Sequence, residues 1–157
     1  MKSADELADM YRLEAREAVE SEAAARLEKH LDPKEEKIWK SASLRPLVEE
    51  GRKQEVTRAL LSRLGLVRAA LIDHDGGIEV TSMTLDGETG MVDVVINLTG
   101  GCVACGAAPG TLQSMVQDLN EDPEICRVRF DSAIRTAQRP LIQEFLDQAT
   151  GLEFVER

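Results

Sequence analysis

Aromatic residues are scarce in this chain: one Trp, one Tyr and three Phe among 157 residues, 3% of the total. A core must therefore come from Leu, Val, Ile, Ala and Met. The hydrophobic share of 43% is enough for one domain, or for a small domain with an extension. Bases are also few: 19 Lys and Arg against 29 Asp and Glu, a net charge of −10. That balance argues against a general nucleic-acid binder, which needs clustered cations, and against docking on an anionic membrane. No apolar run reaches the roughly 18 residues of a spanning helix. The opening residues, Met1 to Glu6, are acidic and lack the apolar core of a signal peptide. The expectation is a cytoplasmic protein with neither nucleic-acid nor membrane partners. Three cysteines do not suggest a disulfide framework, and a cytosolic Cys pair points instead to metal binding or catalysis.

Residues 1–50 are rich in Ala, Glu, Arg and Lys and read as a helical extension. Ser3-Ala4-Asp5-Glu6 has capping-box form and predicts a helix to about His30. Asp32-Pro33-Lys34-Glu35 starts a second, with Ser41 to Pro46 as its end. Val56, Leu60, Leu64, Val67 and Leu71 recur at three- and four-residue steps, predicting one amphipathic helix closed by Gly76-Gly77. Ile78 to Leu85 reads as a strand whose alternation slips at Ser82 and Met83, and Asp86 to Gly90 as a hairpin loop. Val92, Val94, Ile96 and Leu98 alternate as a strand with one buried face. A helix carrying Leu112, Met115 and Leu119 follows, then a strand from Ile125 to Phe130. The fold class is α+β: a small α-β-β-α-β domain over 52–131, its mixed three-stranded sheet covered by helices. Residues 132–157 form a short helical tail through Leu141, Ile142, Phe145 and Leu146.

Between Arg68 and Arg127 there is no Lys or Arg, while Asp73, Asp75, Glu79, Asp86, Glu88, Asp93, Asp118, Glu121, Asp122 and Glu124 all fall there. This is either a solvated acidic surface or one that attracts cationic partners or metal ions.

The segment richest in chemistry is Gly100-Gly101-Cys102-Val103-Ala104-Cys105-Gly106, between a strand end and a helix start. Two cysteines three apart can aim both sulfurs at one metal centre, and the Gly and Ala around them leave N–H groups free to donate to thiolate. Four readings are open. The pair can be two buried small residues. It can be a thioredoxin-like redox pair, although no aromatic precedes it and no cation lies near in sequence to activate a thiol. It can be a structural zinc site, although one chain is short of four ligands. It can be an iron–sulfur site, where two chains of a symmetric dimer supply four thiolates.

The ordered set around this pair resembles the NifU C-terminal, or Nfu-type, iron–sulfur scaffold domain. The stretch from about Val56 to Phe130 carries the resemblance: the helix leading into Asp75-Gly76-Gly77, the strand ending Leu98-Thr99-Gly100-Gly101-Cys102, the C-x-x-C of Cys102 and Cys105, then Thr111-Leu112 and Pro123-Glu124-Ile125-Cys126-Arg127-Val128. Gly106 stands where the family usually has Pro. The resemblance implies a non-enzymatic carrier that binds a [4Fe–4S] cluster between two protomers and hands it to apo iron–sulfur client proteins. Cys102 and Cys105 inherit the ligand role; a [2Fe–2S] cluster would take the same four thiolates. The other readings retained are a thiol–disulfide redox protein using the same pair, and a cluster-free interaction module acting through the extension.

Other residues take plainer roles. Cys126 alternates with Val128 and Phe130 and is expected to be a core thiol. His74 is expected in a solvated turn. Trp39 is expected to anchor the extension, whose helices are expected to cover the core.

Overall fold

A computed structural model describes residues 3–73, 76–100 and 109–156. The chain runs α1 (Ala4–His30), α2 (Pro33–Ser41), α3 (Leu44–Glu49), α4 (Lys53–Arg63), α5 (Leu66–Asp73), β1 (Gly76–Leu85), β2 (Val92–Gly100), α6 (Pro109–Asn120), β3 (Ile125–Asp131), α7 (Ser132–Thr136), α8 (Pro140–Gln148) and β4 (Phe154–Val155). The class is mixed α+β. Among the described residues no helix is long and apolar enough to cross a membrane.

The predicted helix starts are built as their residues dictate. At α1 the Ser3 N–H donates to Glu6 Oε2 at 2.7 Å and the Glu6 N–H to Ser3 Oγ at 3.2 Å, the reciprocal capping box. Asp32 caps α2 by accepting from the Lys34 N–H at 3.0 Å, with Pro33 leading the helix. The long periodic segment is two helices rather than one. It breaks at Leu64-Gly65, where Leu64 is extended and the Gly65 N–H donates to Asp118 Oδ2 of α6 at 2.9 Å. Val67 and Leu71 stay in phase with the core across the break, so their spacing gave no sign of it. The third helix, α3, was not expected, because Pro46 sits inside it.

The sheet order is β1-β2-β3-β4: β1 and β2 antiparallel, β2 and β3 parallel, β3 and β4 parallel. The expectation of three strands is corrected by β4. Phe154 pairs with Phe130, and the Phe130 N–H donates to the Glu153 carbonyl at 2.8 Å. A two-residue strand carries no periodicity of its own, so only its pairing reveals it. The tail is likewise more than one helix, since α7 precedes α8. The slip at Ser82 and Met83 is a β-bulge: Val80 pairs with Ile96 and Ser82 with Val95, leaving Thr81 extra.

One sheet face is apolar. Val92, Val94, Ile96 and Leu98 are buried there with Val128 and Phe130, under Val56 and Leu60 of α4 and Leu112, Met115 and Leu119 of α6. Asp93, Asn97 and Thr99 alternate onto the other face and are half-exposed. The same core continues into residues 33–50, as Leu44 of α3 is fully buried and Trp39 packs against it. Trp39 thus has the anchoring place expected of it, with the Arg58 guanidinium 5.9 Å from its ring centre. Arg68 holds Glu36 of α2 through two hydrogen bonds, that from Nη2 to Oε1 being 2.8 Å. By contrast, the side chains of α1 from Ala4 to Val19 are exposed.

Candidate functional site

Cys102 and Cys105 lie in 101–108, outside the described residues, as does His74. The supports of that segment are described. On one side β2 ends at Gly100 with φ of 63°, a left-handed conformation that glycine adopts without strain. On the other, α6 opens with Pro109, whose fixed φ suits a first helical position. Gly76 pairs with Gly100 and Gly77 with Thr99, so β1 begins where β2 ends. Residues 74–75, with His74, and the segment carrying the cysteines therefore adjoin neighbouring strand ends. A Cβ on Gly77 would sit 3.2 Å from Thr99 Oγ1, so this end of the hairpin is closely packed.

The tail reaches the same end of the sheet. The parallel register sets Phe130 beside Ile96, so β3 finishes toward the Gly100 end, and α7 follows at once. Asp131 is buried there and caps α7 by accepting from the Ala133 N–H at 2.9 Å. Gln113, in the second turn of α6, donates from Nε2 to the Thr150 carbonyl at 3.0 Å and fastens the chain after α8 beside the helix that follows the Cys segment. No local pattern signals this placement, because it depends on β4 finding β3.

Cys126 sits elsewhere and is not a core thiol. Val92 pairs with Ile125 and Asp93 with Arg127, which leaves Cys126 as the extra residue of a bulge. The bulge re-phases the strand. Ile125 and Val128 turn inward and Cys126 is exposed. Its Sγ–H donates to the Val92 carbonyl at 3.4 Å. Loss of solvent around the sulfur, then the nearby charges of Asp93 and Asp86, push this thiol above its ordinary range. Position adds to chemistry. Cys126 lies by the first residue of β2, and eight strand steps to Gly100 span roughly 26 Å. Cys102 is two residues beyond Gly100, a reach of about 7 Å. One chain therefore cannot bring Cys126 and Cys102 onto one small metal centre. Among the described residues no three His, Cys, Asp or Glu side chains form a group able to hold a metal ion.

The base-free stretch spends many of its carboxylates inside the chain. Asp122 meets Arg63 Nε at 2.5 Å, Asp93 meets Arg129 Nη2 at 3.2 Å, and Asp118 holds Gly65. Glu124 caps α3, and Asp86 accepts from the Thr89 hydroxyl at 2.7 Å, which lowers its carboxyl below the usual range. These groups are structural acceptors; Glu79, Glu88 and Glu121 are the exposed remainder among those whose side chains are described.

No family model, no curated protein and no solved structure matches this chain.

Proposed function

We propose that this protein is an iron–sulfur cluster carrier, not an enzyme, in which Cys102 and Cys105 of two copies hold one cluster and release it to client apo-proteins. One observation carries the reading beyond the resemblance of 56–130 to the Nfu-type domain. The third cysteine of the chain lies about a strand's length from Gly100, where the segment bearing the pair departs, and has a thiol biased toward its protonated form. Two thiolates per chain then meet a cluster that takes four, and a second copy closes the count.

The cluster is cargo. Release is ligand exchange without net redox change. As a client thiol loses its proton and binds an iron, one bond from that iron to Cys102 or Cys105 breaks, and the freed thiolate takes up a proton. A site shared between two copies favours this, because separating the copies removes half the ligands. A cytoplasmic, reducing compartment keeps the pair in the thiol form that binding requires.

Anaerobic reconstitution with ferrous iron and sulfide, followed by Mössbauer spectroscopy and mass determination, tests the proposal. The expected product is a dimer with about four iron for [4Fe–4S], or two for [2Fe–2S]. Full iron loading by Cys102→Ala overturns it. A monomer with a depressed Cys102 thiol pKa and turnover with a reductase would favour the thiol–disulfide reading instead.

A further inference from the structure

Strand β1 is an edge of the sheet. Among the described residues it pairs with β2 alone, and its other side meets no strand. It is ten residues long, whereas β4 at the opposite edge has two. A long free edge offers its N–H and C=O groups to any extended chain, and edge strands are commonly blunted by Lys or Pro of their own. Between Gly76 and Leu85 there is neither, and Glu79 is the single charge. Ile78 and Val80 are buried on the core side, with Met83 and Leu85 packed against the same core. By its own residues β1 is an adhesive edge of high β propensity.

Helix α4 supplies what β1 lacks. The Val80 N–H donates to Thr57 Oγ1 at 3.3 Å, and the Thr57 hydroxyl donates in turn to the Lys53 carbonyl at 2.8 Å. Lys53 Nζ, one turn earlier on α4, donates to the Thr81 carbonyl at 3.1 Å. Both β1 groups lie at the bulge, where Thr81 is the extra residue against β2. One donor and one acceptor near the middle of the strand are thus filled by side chains and closed to an incoming strand. The bulge also disturbs the even spacing of the groups that remain. The lysine that the edge lacks comes from 28 residues earlier in the chain, outside the base-free stretch between Arg68 and Arg127.

We infer that Lys53 and Thr57 guard the β1 edge, and that what they exclude is the β1 strand of a second copy. Every copy brings the same edge. A two-fold axis normal to the sheet joins two such edges antiparallel and keeps their apolar sides on one face, so that the pairing continues both sheet and core. The inference does not rest on the carrier reading.

The test uses the full chain, free of iron and with its cysteines kept reduced, so that neither cluster nor disulfide joins copies. Light scattering over a concentration series follows association, and hydrogen exchange reports on single amides. Wild type stays monomeric with its Val80 amide protected at every concentration. In Lys53→Ala with Thr57→Val the dimer dissociation constant falls at least about tenfold. The Val80 amide of that double variant is protected only where the copies pair, while β2 and β3 stay protected throughout. Lys53→Arg and Thr57→Ser, which retain the cation and the hydroxyl, stay monomeric. A double variant as monomeric as wild type overturns the inference. So does association that leaves the Val80 amide unprotected, since another surface is then responsible, or association with β2 and β3 unprotected, which is unfolding. Lys53 is exposed, so Lys53→Ala keeps the fold and carries the test alone if Thr57→Val does not fold, with an expected shift of roughly threefold. A wild-type Val80 amide that exchanges as fast as a free edge amide also overturns it.

Discussion

Glu124, in the turn before β3, caps the helix that starts at Leu44, eighty residues earlier in the chain. Its Oε2 accepts from the Leu44 N–H at 2.5 Å and the Arg45 N–H at 3.2 Å, and its Oε1 accepts from the Ser43 hydroxyl at 2.8 Å. The N-cap residue itself, Ser43, makes no side-chain cap. An acid supplied across the fold thus does the work that a local residue does elsewhere. Glu124→Ala should cost about 1–2 kcal/mol, the range of a lost N-cap, and Glu124→Gln about half of that, because the amide still accepts. Urea unfolding followed by the single Trp, Trp39, measures it. An unchanged midpoint in the Ala variant would show that α3 does not depend on this cap.

Arg63 is the second tie between the helices before residue 50 and the sheet domain. Its side chain is 8% exposed. It reaches Asp122 Oδ2 through Nε, the Trp39 and Ala59 carbonyls through Nη1 at 3.0 and 2.8 Å, and the Ala42 carbonyl through Nη2 at 2.6 Å. The last carbonyls of α2 have their acceptors filled in this way. Arg63→Met strands Asp122 and these carbonyls and should destabilise by about 3 kcal/mol. Arg63→Lys should recover little, since an ammonium cannot serve the fork of directions. Equal stability of the Lys variant and wild type would sink this account.

These two ties also explain what the sequence disclosed and what it withheld. Local chemistry was legible: Ser3 with Glu6, Asp32 with Pro33, the alternation of Val92 to Leu98, and the slip at Ser82 that proved to be a bulge. Features set by distant partners were not. Helix α3 takes its cap from Glu124, the break at Gly65 is stabilised by Asp118, and β4 exists because Phe154 meets Phe130. Cys126 was misplaced for a related reason. A bulge opposite Val92 shifts the phase by one residue, and a one-residue shift exchanges the two faces of a strand. The candidate site is legible only as a pair of cysteines between a strand and a helix. The structure adds the anchors on either side, Gly100 and Pro109, and the tail fastened beside them.

Cys126 offers a direct check on the ligand count. Its raised thiol pKa means a smaller thiolate fraction at neutral pH, so alkylation by iodoacetamide should be slower than at an ordinary exposed cysteine and should accelerate only at higher pH. Cys126→Ser should leave iron uptake unchanged, whereas Cys102→Ala and Cys105→Ala should each abolish it. Mass spectrometry of alkylated peptides, with iron analysis of each variant, reads both halves. Loss of iron in the Cys126 variant would mean that the chain has a third ligand, and the count of two thiolates per copy would be wrong.

The clamp between α7 and α8 makes a pH-dependent prediction. The Arg135 guanidinium, by hydrogen bond first and by charge second, holds the Asp147 carboxyl below the usual range. A carboxyl lowered on folding contributes stability above its unfolded value of about 3.9 and loses that contribution as pH falls through the lower folded value. The amide resonances near the end of α8, around Asp147 and Gln148, should therefore titrate with a midpoint below that of a free Asp. In Arg135→Gln the midpoint should rise toward the ordinary range, and in Asp147→Asn the step should vanish. Asp86 titrates in the same acid window, but through Thr89 in the loop between β1 and β2, so its signal falls on different amides. A wild-type midpoint at the free-Asp value would mean that the two hydrogen bonds from Arg135 to Asp147, of 2.7 and 2.8 Å, do not persist in solution and do not tie α8 to α7.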